Sequence, residues 1–249
     1  MRIGHLLRTE ARHLEPLQSG HPCQGCEARG TALCGILDCA NLAEFRHLGS
    51  ILKLGAGQTL FHEGDQATRV FTLTCGVLKL YKLLADGRRH IAGFMYTGDF
   101  LGISVDDKHA FSAEAIEASQ LCCFGRDRFD DFIDAHPAME RELYCMAAHE
   151  LAAAQQQLVL LGRKTAAERI ATFLLLRAKQ TETASGEEAS VVVLPMSRSD
   201  VADFLGLTKE TVSRVLSTFR ASRVIRLQAM DRVEILDRPS LERRAEWDG

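Results

Sequence analysis

The chain has 249 residues, of which 46% are hydrophobic and 25% charged, and it carries a formal net charge of −3. Such a chain can bury a substantial core, and its length suggests about two domains. Residues 1–20 mix Arg, His and Glu with leucine and lack the continuous apolar segment of a signal peptide, while the apolar runs elsewhere are too short to cross a bilayer. These features argue against an exported or membrane protein, and we expect a cytoplasmic one.

The segment HPCQGCEARGTALCGILDC, residues 21–39, concentrates four cysteines near the start of the chain: Cys23, Cys26, Cys34 and Cys39. Because the cytosol keeps thiols reduced, such a cluster favours a metal site or a redox device over a framework of disulfides. A short helix-like segment, NLAEFRHLG at residues 41–49, follows the cysteines.

Residues 51–124 consist of short strand-like runs separated by glycines, and the ADGR turn at residues 85–88 indicates a hairpin. This spacing is typical of a small antiparallel sandwich or barrel. An acid-rich segment, RDRFDDFIDAHP, separates this block from the next one.

Pro137 begins a long helical stretch in which apolar or small residues recur every three or four positions. These residues are Leu143, Ala147, Leu151, Ala154, Leu158 and Leu161. The resulting heptad-like seam belongs to a helix about 40 Å long, too long for one small domain to cover. The pattern favours a homodimer formed through this helix, the alternative being a helix that lies on its own β-domain. A second helix is predicted over residues 165–179, followed by a polar surface loop at residues 181–190.

Residues 196–226 are typical of a helix-turn-helix. Ser197 and Asp200 form the start of a capping box, Gly206 ends the first helix, and Thr208 caps the second. The VIRLQAMDRVEIL sequence that comes next contains two strand-like runs around a turn, which predicts a wing. Residues 196–226 are also locally basic, with six Arg or Lys residues against three acids.

The second helix of this motif has two distinct faces on a helical wheel. The apolar face can pack on the domain and carries Val212, Val215, Leu216 and Phe219. The polar face carries Glu210, Ser213, Arg214 and Ser217. Arg214 can donate two hydrogen bonds to guanine, Glu210 can accept one from cytosine, and Ser213 can reach either base. We therefore predict that this face, with Thr208 at its start, binds DNA, the alternative being a solvated amphipathic helix.

The glycine-punctuated β-block, the long helix and the GLTKETVSR segment at residues 206–214 resemble the Crp/Fnr superfamily of bacterial transcription regulators. The resemblance covers nearly the whole chain. It implies an α+β fold with an N-terminal cyclic-nucleotide-binding-like β-roll (a jelly roll), a long dimerisation helix and a C-terminal winged helix-turn-helix. We accordingly divide the chain into a cysteine-rich iron-sulfur arm, a sensory β-roll, a dimerisation helix and a DNA-binding domain, at residues 1–40, 41–135, 136–163 and 164–249.

The resemblance also implies partners: a second copy of the chain, double-stranded DNA and RNA polymerase. The ETVSR sequence at residues 210–214 resembles the fumarate and nitrate reduction regulator (FNR) group, which binds inverted repeats of TTGAT type. In such a half-site Arg214 would contact the guanine and Glu210 the cytosine of the central G·C pair. No catalytic constellation is apparent, so we do not expect an enzyme.

Cyclic-nucleotide binding is disfavoured by one position. Relatives that bind cAMP have an arginine for its phosphate, and Phe111 occupies the matching place here. A buried phosphate without such a donor would be unpaired, so we expect no cAMP. Haem stays open, since the chain has nine histidines and none is marked as an axial ligand.

The cysteine spacing resembles the variant found in FNR-type sensors of oxygen, which implies Cys23, Cys26 and Cys34 as three ligands of a 4Fe–4S cluster. The fourth ligand in that group lies in a segment resembling AIEASQLCCF, where the match falls on Cys122. Zinc would accept the same four thiols. The alternation of side chains along a strand does not choose between Cys122 and Cys123, because neither face is uniformly apolar.

The resemblance thus implies an oxygen-responsive regulator of anaerobic or microaerobic gene expression, in which the cluster promotes dimerisation. A DNA-binding protein with structural zinc and an iron-sulfur electron carrier are the other hypotheses, although a carrier would leave the helix-turn-helix unexplained. The remaining cysteines are expected to be buried small residues within strands and helices: Cys39, Cys75, Cys123 and Cys145.

Overall fold

The computed structural model describes residues 23–104, 107–185, 189–229 and 231–245. The first 22 residues of the predicted cysteine-rich arm therefore lie outside the described part. The chain divides into two compact units, which separate between Ala147 and Ala148.

The first unit opens with two 3-10 turns, Glu27–Gly30 and Leu33–Ile36, followed by helix α1 (Cys39–His47). Asp38 caps α1 by accepting a hydrogen bond from the Asn41 backbone N–H at 2.8 Å. The strands that follow are β1 (Gly49–Leu54), β2 (Thr59–Phe61), β3 (Arg69–Cys75), β4 (Leu78–Leu83), β5 (Arg89–Met95), β6 (Phe100–Leu101), β7 (Ser112–Ala115) and β8 (Ser119–Gly125). Helices α2 (Arg126–Ala135) and α3 (Pro137–Arg163) come next.

The eight strands form two antiparallel sheets, ordered β1-β8-β3-β6 and β2-β7-β4-β5. Apolar side chains from both sheets meet in one core, which contains Phe71, Leu73, Leu78, Met95, Leu101, Ala115, Leu121 and Cys123. The predicted β-roll is therefore confirmed. The short strands β2 and β6 and the helix α2 were not anticipated by the sequence reading.

A second core lies around Phe45, which stacks on Phe124 at a ring-centroid distance of 4.4 Å. It joins the arm, α1, β8, α2 and the first turns of α3, and its buried members are Leu33, Leu37, Leu42, Phe45, Val70, Phe124, Phe129, Phe132, Ile133 and Met139. We call this set the Phe45 cluster. The arm residues from Leu33 onward therefore pack as part of the first unit.

The second unit contains helix α4 (Ala166–Ser185), strand β9 (Val191–Val193), helices α5 (Arg198–Leu205) and α6 (Lys209–Ala221), strands β10 (Ile225–Leu227) and β11 (Arg232–Ile235), and helix α7 (Arg238–Ala245). The strands form an antiparallel sheet in the order β10-β11-β9. The predicted wing is thus the β10–β11 hairpin, to which β9 adds a third strand. Helix α4 continues through residues 181–185, which the sequence reading had placed in a loop.

The predicted ends of the two helix-turn-helix segments are confirmed. Ser197 and Asp200 form a reciprocal capping box at the start of α5. Gly206 ends that helix in the left-handed conformation, with φ of 63°, which a residue with a Cβ adopts only under strain. Thr208 caps α6 by accepting a hydrogen bond from the Thr211 N–H at 3.2 Å.

Among the described residues, no helix is both long enough and apolar enough to span a membrane.

Candidate functional site

Strand β8 presents its two adjacent cysteines to different surroundings. Leu121 and Cys123 belong to the core between the two sheets of the roll, and Cys123 is only 5% exposed. Cys122 points to the opposite face, where it packs against the Phe45 cluster. The two thiols therefore point to opposite faces of the strand, as the alternation of side chains predicts. The sequence alone did not indicate which thiol faces which side.

One cavity outside the roll brings together the four cysteines named as ligands: Cys23, Cys26, Cys34 and Cys122. The arm supplies three of these thiols, and β8 supplies the fourth. The wall is otherwise largely apolar, with Leu42, Phe45 and Phe124 beside Thr72 and Thr74. The lining also contains two positively charged side chains, those of Arg29 and Arg46.

The thiols share this cavity without being gathered round one ion. Within the described ranges, no three His, Cys, Asp or Glu side chains stand where they could hold a metal ion. The four thiols thus face a common space, but they are not arranged as the ligands of a single ion.

The arm reaches this position through a close approach to the roll. Backbone hydrogen bonds from Cys26 N to Cys23 O and from Arg29 N to Cys26 O, both 3.2 Å, fold the first turn. Thr31 then lies against Gly98, where an added Cβ would stand 2.1 Å from the Thr31 Oγ1 atom. The backbone of Gly98 also has φ of 99°, so glycine is required there both for its conformation and for the space the arm occupies.

Burial favours the neutral form of three of the cavity's thiols. Together with the neighbouring thiols, it raises the pKa of Cys34 to about 12. Burial also raises the pKa of Cys122 to about 11, although the Arg46 guanidinium group opposes this rise. Burial likewise raises the pKa of Cys23, while the nearby Arg46 and Arg29 guanidinium groups oppose this rise. Neutral thiols are poor ligands, so binding of a metal must release protons from this pocket.

The donor set fits a thiolate-bound metal group. Four sulfur donors in an apolar pocket are the ligands preferred by a 4Fe–4S cluster, and zinc accepts the same set. In a 4Fe–4S cluster each cysteine binds a different iron, whereas four cysteines on zinc share one ion. The described residues therefore fit the implied cluster by their chemistry.

The other four cysteines differ from one another in their exposure to solvent. Among them, Cys123 is buried as expected. Cys39 is half-buried at the start of α1, but Cys75 and Cys145 are exposed, so the expectation of burial was wrong for these two. Cys75 ends β3 beside the Gly76 turn, and Cys145 lies on a solvent-facing side of α3.

Helix α6 presents its predicted polar face to solvent. Glu210, Ser213, Arg214 and Ser217 are all exposed, as is the cap residue Thr208. Val212, Leu216 and Phe219 are at most 3% exposed, and they hold the opposite face against the rest of the unit. Lys209 and Arg220 are also exposed on the same helix, although neither belongs to the predicted base-contacting set. Their positive charge suits DNA phosphates, and the locally basic composition was the signal for them.

An apolar stripe runs along α3. Leu151 is 61% and Leu158 72% exposed, and Ala147 and Ala154 are exposed between them. Leu161 is half-buried. Such large exposed apolar side chains in one row are typical of a surface that a partner covers.

The structure changes the first position of this stripe. Leu143 packs against the Phe45 cluster, whereas the adjacent Tyr144 is 71% exposed. Tyr144 precedes Ala147 by three residues and Leu151 by seven, so it continues the heptad where Leu143 does not. The sequence reading missed Tyr144 because it followed aliphatic and small residues only.

Phe111 is half-buried, and the Lys82 ammonium group lies 5.3 Å from its ring centroid. Lys82 Nζ also pairs with Glu63 Oε1 at 2.7 Å. The place where cAMP-binding relatives have an arginine thus presents an aromatic ring.

Comparison with known proteins places both units in recognised families. Residues 51–136 match the family model described as cyclic nucleotide-binding domain, and residues 168–244 match the Crp-like helix-turn-helix domain. The nitrogen fixation regulation protein FixK of Bradyrhizobium diazoefficiens is 45% identical over 204 residues, covering 82% of this chain and 85% of that protein. The transcriptional activatory protein AadR of Rhodopseudomonas palustris is 41% identical, covering 85% of this chain and 88% of that protein.

A solved structure supports the same assignment. The structure of FixK2 from Bradyrhizobium japonicum superposes with a TM-score of 0.73 at 33% sequence identity, covering 78% of this chain and 96% of that one. The relatives named here are described as regulatory or activatory proteins, and none is described as an enzyme.

The opposed positions of the two β8 thiols give a paired test. We expect Cys122→Ser to abolish anaerobic retention of iron and sulfide, because a hydroxyl is a poor, hard ligand for iron in a thiolate site. Cys123→Ser, inside the roll, should leave retention largely intact. Iron and sulfide analysis of both variants, purified without air, checks this. The reverse pattern would move the ligand to Cys123.

The exposed face of α6 gives a second test. Arg214→Ala should cost about 1–3 kcal/mol of binding free energy at a TTGAT inverted repeat and leave affinity for a random duplex nearly unchanged, because a bidentate guanine contact is lost. Arg220→Ala, in the last turn of the same helix, serves as the control and should not reduce the preference for the repeat. Equal losses of Arg214→Ala on both duplexes, in fluorescence anisotropy titrations, would contradict a base contact.

Proposed function

The chain belongs to the Crp/Fnr family of transcription regulators, and we propose that it is an oxygen-responsive member whose DNA binding depends on a 4Fe–4S cluster. The observation that carries this proposal is the cavity shared by Cys23, Cys26, Cys34 and Cys122. When bound, such a cluster supplies an iron centre that molecular oxygen can oxidise.

The convergence of these thiols has a structural consequence for the arm. Three ligands come from residues 23–34 and one from β8, so their joint use would tie the arm to the outer face of the roll. The arm already lies close there, with Thr31 against Gly98. Ligation at both places would hold that position against the entropy of releasing the chain.

The docked arm shares its packing with the start of α3. Leu33 and Leu37 of the arm belong to the Phe45 cluster together with Met139 of α3, which is fully buried. Leu143 and Met146 pack against the same cluster from the following turns. Loss of the docked arm would therefore remove apolar contacts from the first turns of the helix that carries the exposed stripe.

A polar contact accompanies this packing. His136, directly before α3, has its Nδ1 atom 2.7 Å from the Phe132 carbonyl and its Nε2 atom 3.3 Å from Asn41 Oδ1. The imidazole thereby joins α1, which follows the arm, to the junction between α2 and α3. The effector acts by favouring the state in which these contacts are complete and the stripe is presented.

Regulators of the Crp/Fnr family bind DNA and act as dimers. In this chain we assign the dimer contact to the stripe of Tyr144, Ala147, Leu151, Ala154 and Leu158 on α3. Two-fold symmetry would then direct two α6 helices to major grooves about 34 Å apart on an inverted repeat. Arg214 and Glu210 would read the G·C pair of a TTGAT half-site, and RNA polymerase would be the further partner at activated promoters.

Other effectors have less support from these residues. Zinc would use the same thiols but brings no response to oxygen, so it is the principal rival. Haem in this cavity would have to take one of the thiols as its axial ligand, because no histidine is among the described lining residues. A phosphate of cAMP would meet Phe111 instead of a guanidinium group.

The cluster hypothesis is tested by DNA affinity before and after air. Protein purified anaerobically should contain iron and sulfide, absorb broadly in the visible and bind the inverted repeat tightly. Exposure to air should bleach the colour and weaken binding to that repeat. The matched control is anaerobic protein from which the metal has been removed by a chelator, which should bind as weakly as the air-exposed sample. A colourless protein that contains zinc and binds equally in air would contradict the proposal.

The dimer contact is tested by a charge on the stripe. Ala154→Asp should shift the protein toward monomers, because two like charges would be buried across the two-fold axis. Ala153→Asp places the same residue one position away, exposed and off the stripe, and should leave the dimer intact. Sedimentation velocity of both cluster-loaded variants measures the effect. An unchanged profile for Ala154→Asp would locate the dimer contact elsewhere.

A further inference from the structure

We propose that Arg46 is a positioning residue of the thiol cavity: its guanidinium charge compensates the negative charge of the thiolate-bound cluster and thereby helps to retain it. This inference rests on the proposed function, since it concerns the same cavity. It assigns to α1, which carries no ligand to the cluster, a direct part in holding it.

The position of Arg46 is fixed by the fold. It lies in the last turn of α1 and its Nη1 atom donates a hydrogen bond to the Gly49 carbonyl at 3.0 Å. Gly49 begins β1, which pairs with β8 so that Ile51 lies opposite Cys122. The side chain is half-buried and lines the cavity with the four thiols. The guanidinium is therefore held between the arm and the strand that supplies the fourth thiol.

Arg46 faces the same cavity as thiols from both sources, Cys23 on the arm and Cys122 on β8. Arg29 lines this cavity as well. The described side chains that line the cavity include these two arginines and no carboxylate. The lining is thus suited to an anionic occupant.

Physical chemistry gives this arrangement a use. Four thiolates around a 4Fe–4S core leave a net negative charge on the group, and burying such a charge among Leu42, Phe45 and Phe124 is unfavourable without a nearby cation. A guanidinium group stays protonated at all physiological pH values, so it supplies that cation without competing for the protons that the thiols release. Net charge and surrounding charges also set the reduction potential of iron-sulfur clusters.

A purely structural role for Arg46 would predict different results from a charge-compensating role. In that case the hydrogen bond to Gly49 would only join α1 to β1, and any substitution would destabilise the cluster-free protein. In the charge-compensating role, Arg46→Lys keeps the function largely intact, while the neutral Arg46→Gln impairs cluster retention without unfolding the protein. Arg46→Met is a second neutral variant, which keeps the aliphatic part of the side chain for packing.

The experiment compares anaerobic, full-length wild type and variants by the rate at which an iron chelator strips the cluster, with the reduction potential of the cluster as a second measurement. We expect about tenfold faster stripping for Arg46→Gln and Arg46→Met, the size of one lost charge interaction at a half-buried site. The potential should move to more negative values, because removal of a positive charge disfavours addition of an electron. Arg46→Lys should stay near wild type, and all cluster-free variants should remain folded at the temperature of the assay, so that faster stripping does not come from unfolding.

Arg69→Gln is the matched control. Arg69 is exposed and lies near Cys123, whose thiol faces the inside of the roll and not the cavity. It should leave stripping rate and potential unchanged. The inference is overturned if both neutral variants match wild type in rate and potential, or if they and Arg46→Lys lose the cluster equally as the cluster-free proteins unfold earlier. Wild type without iron and sulfide would instead contradict the proposed function itself, so the two failures are distinguishable.

Discussion

Phe45 lies where the separate parts of the first unit meet. Its ring stacks on Phe124 of β8 at 4.4 Å and packs against Phe132 of α2 at 5.1 Å between ring centroids. Because Phe45 belongs to α1, these contacts fix the helix that follows the cysteine arm to the outer face of the β-roll. The same cluster buries Leu33 of the arm and Met139 of α3. The arm that carries three of the thiols and the start of α3 thus pack on one set of aromatic contacts.

Strand β8 divides the chemistry of this unit between its two faces. Toward the roll it contributes Leu121 and Cys123 to the core that joins the two sheets. Toward the arm it contributes Cys122 and Phe124, which both line the cavity; Phe124 belongs to the Phe45 cluster and Cys122 packs against it. A change at the thiol cavity would therefore be adjacent to the packing that supports α3.

Features that depend on local chemistry could be predicted from the sequence. The helix ends are an example, because each depends on partners only a few positions away in the chain. The structure confirms the capping box of Ser197, the left-handed Gly206 and the cap at Thr208. The long α3 could be predicted for the same reason. Strands β2 and β6, with three and two residues, carry too little periodicity to be recognised.

Features that depend on contacts distant in sequence could not be predicted in the same way. The outward face of Cys122 is set by packing against the arm, and the preference for Tyr144 over Leu143 in the exposed stripe is set by the Phe45 cluster. The resemblance to the family supplied Cys122, but the residues alone left both cysteines possible. Arg46 gave no sequence signal, because its role follows from the fold that brings α1 beside the cavity.

Hydrogen exchange of the first turns of α3 tests the central claim most directly, which is that the cavity and the dimerisation helix communicate through shared packing. Amide exchange would be measured by mass spectrometry on cluster-loaded protein and on the same protein after anaerobic removal of the metal. The account predicts faster exchange after removal both in the arm around Leu33 and in residues 139–146, with α6 unchanged. Faster exchange in the arm while residues 139–146 keep the same rate would contradict it.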